Sequence, residues 1–245
     1  MAVFAAIALT AIVAGLVQAV TGFGAGIVLM VVLPQFFTVV QGAGISQSIC
    51  LVLVLSMAWH YRAHINFKLV LPPAILFVVI SYTALQFAQM VPQNLMKLLL
   101  GVFLVLLAGY FLFIKKGETG RLSLPAQIGC VVVSALCDGL FGIGGPLMVV
   151  YYLSCTEDTD EYLGTLQAFF ALCTVCNVCV RIANGVLVAS MLPVILAGMA
   201  GVVAGMLVGN RVVARLKPDA IRQATYIVIG LAGAYNALSA ALALL

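Results

Sequence analysis

The sequence predicts an all-α polytopic membrane protein made of two inverted-topology repeats, each a glycine-broken hairpin followed by three transmembrane helices. Three observations carry this. First, the 245 residues are 65% hydrophobic and only 7% charged. A soluble domain carries roughly 25% charged residues, so a water-facing surface cannot be covered. Second, apolar stretches of about 20 residues recur, the length that crosses ~30 Å of hydrocarbon. Third, the second half repeats the first at a single ungapped shift of 120 residues. The shift pairs Gly22 with Gly142, Gly24 with Gly144, Gly44 with Gly164, Gln47 with Gln167, and "PAIL" at Pro73 with "PVIL" at Pro193.

The elements follow in chain order. The first apolar segment runs from residue 2 to 40 and is interrupted by "TGFGAG" at Thr21–Gly26. It has no basic start and continues into further apolar sequence, so it is expected to stay as a membrane segment, not to be cleaved as a signal peptide. The second segment covers 45–60 and ends at "HYRAHINFK"; the third covers 69–90 and the fourth 93–114. "KKGETGRLS" follows as the longest polar stretch. The first repeat is then 1–114, the cytoplasmic linker 115–124 and the second repeat 125–245, all within one integrated membrane domain. A fifth segment, 125–154, is interrupted by "CDGLFGIGGP" at Cys137–Pro146. After "TEDTDE" come a sixth at 162–181, a seventh at 186–209 and an eighth at 219–243.

Charge sets the expected topology. If every segment crossed once, the eleven Lys and Arg would divide almost evenly between the faces. If the first and fifth segments are hairpins that return to their starting face, the basic residues sort differently. Arg62, Lys68, Lys115, Lys116, Arg121, Arg211, Arg215, Lys217 and Arg222 then share one face. Only Lys97 and Arg181 lie on the other. Cytoplasmic loops are enriched in Lys and Arg, so the second arrangement is preferred. It inserts the halves with opposite orientation and puts both termini outside. The formal charge of +4 reflects these loops and implies no nucleic-acid partner.

The glycine breaks point to a site. Unpaired backbone polar groups cost several kcal/mol in hydrocarbon, so a broken helix is tolerated only against protein or a water-filled cavity. Breaks at matching repeat positions mark the binding site of many secondary transporters. The chain resumes as a helix near Ala25 and near Pro146, and proline suits the first helical position. Helix N-termini favour anions, although small residues also serve plain helix packing. The candidate substrate-binding residues are Thr21, Gly22, Gly24, Ala25, Gln47, Gly142, Gly144, Gly145, Pro146, Gln167 and Asn177. Gln47 and Gln167 are neutral amides able to donate to an oxyanion, or to glue helices together. Gln18, just before the first break, is a weaker candidate of the same type.

Asp138 is the one acid inside an apolar segment, and it aligns with Gln18. An intramembrane carboxyl is a functional group by default. Two readings compete: a coupling proton carrier, or a carboxyl that is hydrated close to the interface or accepts bonds from a helix N-terminus. Cys173, Cys176 and Cys179 share one apolar segment. Buried free cysteines behave as small hydrophobes, and His60 and His64 lie at a loop, so no intramembrane histidine completes a metal site. No catalytic constellation, cofactor motif or metal site is expected, so the chain does not read as an enzyme.

"VQAVTGFGAGIVLMVVLP" and "DGLFGIGGPLMVVYYL" resemble the paired glycine signatures of the TauE/SafE sulfite exporter family, also called the 4-toluene sulfonate uptake permease family. The resemblance spans nearly the whole chain. It implies a bacterial inner-membrane transporter of sulfite, sulfonates or related sulfur-containing or carboxylate anions. It carries over to Gly22, Gly24, Gly142, Gly144, Gly145 and Pro146, whereas Asp138 stands where a small residue is expected. The expected partners are therefore a small anion and the lipid bilayer, with room for a homo-oligomer. A channel-like anion pore and thiol-based handling of reactive sulfur are the alternatives.

Overall fold

The computed structural model describes residues 2–113, 122–212 and 218–243, and no strand occurs among them. The first half holds α1 (Ala2–Thr21), α2 (Ala25–Val32), α3 (Val39–His60), α4 (Phe67–Met90) and α5 (Gln93–Phe113). The second holds α6 (Leu124–Phe141), α7 (Gly145–Cys155), α8 (Thr159–Ala183), α9 (Leu192–Val212) and α10 (Pro218–Leu242). Among the described residues, seven helices are long and apolar enough to cross a membrane: α1, α3, α4, α5, α6, α8 and α9. Most of the linker at 115–124 lies outside the described residues, as do Arg215 and Lys217.

Both helix breaks fall where the glycines predict them. Gly22, Gly24 and Gly142 have φ of 78°, 102° and 69°, a left-handed backbone that side chains with a Cβ rarely adopt. Two helices open away from the expected position: α9 begins at Leu192 rather than 186, and α3 begins early. The second apolar segment was expected to open near residue 45, but α3 begins at Val39. The cause is a capping box: Thr38 Oγ1 accepts from Gln41 N–H at 3.1 Å, and Gln41 Oε1 accepts from Thr38 N–H at 3.3 Å. The reciprocal pair satisfies two orphan amides and starts the helix early.

Contacts fix the helix directions. Gly201, Gly205 and Gly209 of α9 meet Ala8, Ile12 and Leu16 of α1 in the same order, so these helices run parallel. A Cβ on Gly205 would sit 2.0 Å from Ile12 O, and one on Gly15 2.1 Å from Val202 O. Only glycine lets the two backbones approach this closely, the small-residue packing typical of membrane helices. α3 runs with α9, Gly44 against Leu187 and Gly198 against Ile49. α2 runs against α3, Gly26 beside Ser46 and Met30 beside Gly42. α1 and α2 therefore form a hairpin.

The opposite direction belongs to α4 and α8. Asn66 donates to Thr165 and Glu161 at their starts, Ser81 meets Asn177 midway, and Gln86 meets Asn184 at their ends. α7 leaves Phe170 at its start and returns Tyr152 to Leu69, near the start of α4. The helix pairing repeats between halves: α1 packs on α9 as α6 packs on α4, and α3 packs on α9 as α8 packs on α4. α3 meets α8, and α5 meets α10, across the middle. The halves are thus interlaced, each lending its hairpin to a helix of the other.

Candidate functional site

The two breaks touch. A Cβ on Gly26 would lie 3.6 Å from Gly142 O. Between them is a cavity of about 90 Å³, room for roughly three waters at ~30 Å³ each. Gly24 and Gly26 line it from the first half; Gly142, Gly144 and Gly145 line it from the second. Phe23 and Phe170 supply apolar walls, and Gln18, Ser46, Gln47 and Asp138 supply the polar ones.

The start of each short helix lies against the helix before it. Gln18 Oε1 accepts from Ala25 N–H at 3.1 Å, and its Nε2 donates to Gly22 O at 3.1 Å. Asp138 is the repeat partner of Gln18, and its side chain packs against Gly144, the residue before α7. The two repeat-related positions thus meet the two helix starts, with an amide in one half and a carboxyl in the other.

Asp138 is only 9% exposed and carries further partners. Its Oδ2 accepts from Gln47 Nε2 at 3.0 Å and from Asn177 Nδ2 at 2.6 Å. Asn177 Oδ1 in turn accepts from Ser81 Oγ at 2.9 Å. The other end of Gln47 accepts from Arg181 Nε at 3.0 Å. Arg181 also donates to Val40 O at 3.0 Å, to Asp138 O at 3.3 Å and to Gly139 O at 3.0 Å. Those last two carbonyls belong to the final turn of α6, the negative end of its dipole, where a cation is favoured. Gln47 therefore bridges a buried carboxyl and a buried guanidinium.

Arg181, the last residue of the sixth apolar segment, lies in the last turn of α8 and is 1% exposed, a burial the charge pattern does not reveal. The sequence held a signal for this. Arg181 lies four residues after Asn177 and seven after Thr174, a spacing that puts all three on one helix face. Thr174 lines the cavity. Phe23, Ser46 and Phe170 were also missed, because nothing in their local pattern separates a cavity wall from ordinary packing.

The predicted residues divide as follows. Gly24, Gln47, Gly142, Gly144, Gly145 and Asp138 line the cavity. Ala25 and Pro146 are buried in the first turns of α2 and α7. Asn177 acts on the cavity through Asp138. Gln167 turns toward Gly22 O, donating at 2.9 Å. Its Oε1, like Ser134 Oγ, is buried without a partner among the described residues. The Thr21 side chain lies outside the described residues. Cys173 is buried and Cys179 exposed, so the three cysteines of α8 do not converge. No group of three His, Cys, Asp or Glu comes together among the described residues.

A second cavity, about 540 Å³, abuts the first break. Val20, Gly22, His60, Tyr61 and Asn210 line it. It opens at the ends of α1, α3 and α9, the face that carries Arg62 and Arg211. Gly22 belongs to this vestibule, while Phe23 and Gly24 belong to the central cavity. The turn at Gly22–Phe23 is the partition between them.

A family model described as Sulfite exporter TauE/SafE matches residues 7–236. No curated protein and no solved structure matches the chain.

Proposed function

The chain belongs to the sulfite exporter TauE/SafE family, and on that premise we propose that it carries a small sulfur-containing or organic anion, of the sulfite and sulfonate class, across the bacterial inner membrane by alternating access. The observation that carries the proposal is the meeting of two repeat-related breaks around one small polar cavity. The first turns of α2 and α7 adjoin it, and helix N-termini attract anions. Gln47 and the glycine amides would hold the oxyanion, and Phe23 and Phe170 would exclude water. The self-mapping helix pairing supports reading the halves as inverted-topology repeats, and the sorting of Lys and Arg supports both termini lying outside. The vestibule, on the face expected to be cytoplasmic, would be the path between site and cell interior.

Asp138 gives the site its asymmetry. An ionised carboxyl beside an anion repels it, and a protonated one does not. Proton uptake at Asp138 is the proposed coupling event, with Arg181 holding the compensating charge. The moving bodies are those joined by close backbone packing: α1 with α9, and α4 with α6. Rocking is then between interlaced bodies, not between the two halves of the sequence.

The test is counterflow in proteoliposomes with sulfite, sulfoacetate, taurine, thiosulfate, lactate and sulfate. Saturable exchange of a sulfur oxyanion that weakens in Gln47→Ala supports the reading. Currents far above carrier turnover would favour an anion pore. Proton dependence undiminished in Asp138→Asn would remove that residue from coupling.

A further inference from the structure

The two halves are related by sequence, yet among the described residues the vestibule lies on one side of the cavity and its repeat counterpart is closed. Adding 120 to Gly22, Met57 and Tyr61, and subtracting it from Leu163, gives Gly142, Asn177, Arg181 and Ala43. On the vestibule side these positions stand apart: a Cβ on Gly22 would find only the Leu163 side chain, at 3.9 Å. On the other side they are closed up. A Cβ on Gly142 would lie 3.0 Å from Ala43 Cβ and 3.1 Å from its carbonyl oxygen. Asn177 holds Asp138, and Arg181 holds Gly139 O, where Gly139 is the counterpart of the vestibule's Ala19.

We infer that the cluster of Arg181, Gln47, Asp138 and Asn177 is the closed gate of the face opposite the vestibule, and that Arg181 becomes the anion's first contact when this gate opens. The inference rests on the alternating-access reading. In an inverted repeat, the second state is the first with the roles of the halves exchanged. The space now lined by Tyr61 and Gly22 on one face should then reappear on the other, lined by Arg181 and Gly142. Opening requires Arg181 to release the carbonyls of Asp138, Gly139 and Val40. A freed guanidinium in a new vestibule seeks an acceptor, and a planar fork of donors suits a sulfur oxyanion. The vestibule now present has a tyrosine at that position. The two faces should therefore differ in anion affinity.

The test uses full-length protein with its seven native cysteines replaced and one reporter cysteine added. Val20→Cys lies in the vestibule, and Leu140→Cys is its repeat counterpart on the closed side. Proteoliposomes are treated with a membrane-impermeant maleimide in the absence of anion. Val20→Cys should react from the vestibule face, and Leu140→Cys should be protected. Adding Arg181→Gln should speed labelling of Leu140→Cys from the opposite face by roughly tenfold or more, the population shift that about 1.4 kcal/mol brings. Labelling of Val20→Cys should not rise, because a gain by the minor state is taken from the major one. Gln47→Ala, which cuts the bridge but leaves both charges, should act in the same direction if Arg181→Gln does not fold. Protection of Leu140→Cys in every folded gate variant would overturn the inference. So would faster labelling at both positions together, which signals loosening and not exchange. The labelling needs no transport, so a gate that opens in a protein moving no anion would sink the proposed function and leave the gate standing.

Discussion

Removing both charges from the buried cluster should cost less than the sum of removing each alone. Asp138 and Arg181 are 9% and 1% exposed and are joined through Gln47. Loss of one member of a buried ion pair typically costs about 3–5 kcal/mol, whereas replacing both with neutral groups is often near neutral. The two single variants are not equivalent. In Asp138→Asn the guanidinium keeps four acceptors: Gln47 Oε1, Val40 O, Asp138 O and Gly139 O. Its cost should fall at or below ~3 kcal/mol. In Arg181→Gln the carboxyl keeps Gln47 and Asn177, but Gln47 loses the donor that orients it and the last turn of α6 loses its cation. The cost should sit near the upper figure, about 5 kcal/mol. The double variant should recover roughly 2 kcal/mol or more relative to the sum, within the range of coupling between contacting residues. The assay is denaturant-induced unfolding in detergent micelles, followed by the fluorescence of Trp59. Strict additivity of the two singles would show that the charges do not feel each other, and the bridging role of Gln47 would fall with it.

Two further outcomes separate other contributions. Gly142→Ala should destabilise more than Gly22→Ala, because both pay for left-handed backbone, about 1–2 kcal/mol, but only Gly142 also drives a methyl into Ala43, about 1–3 kcal/mol more. Equal thermal shifts in detergent would contradict the closed packing at Gly142. Replacing Cys173, Cys176 and Cys179 together with Ala should leave sulfite counterflow intact, since the three thiols do not converge; loss of exchange in the folded variant would revive the thiol-based alternative.

The helices were legible because hydrocarbon leaves few choices. Runs of the right length had to be helices, and the glycines of "TGFGAG" and "GIGGP" marked the breaks to within a residue or two. Shift-related pairs foretold that both breaks would share one cavity. What sequence could not supply was direction in space. Gln47 and Gln167 are repeat partners, yet one faces the cavity and the other faces Gly22 O. A repeat pattern is symmetric, whereas the folded chain is not. The burial of Arg181 was hidden for a related reason: a basic residue at a helix end reads as exposed unless its i−4 and i−7 neighbours are weighed.

The glycine seam between α1 and α9 has a consequence for how the chain can be divided. A Cβ on Gly201, Gly205 or Gly209 would strike α1 within 2.9 Å, so neither surface has another good use. Cut in the polar stretch between α5 and α10's half, each fragment would insert with a bare strip of peptide groups turned toward lipid. Such fragments should be short-lived alone and reassemble when made together, because each holds the other's missing wall.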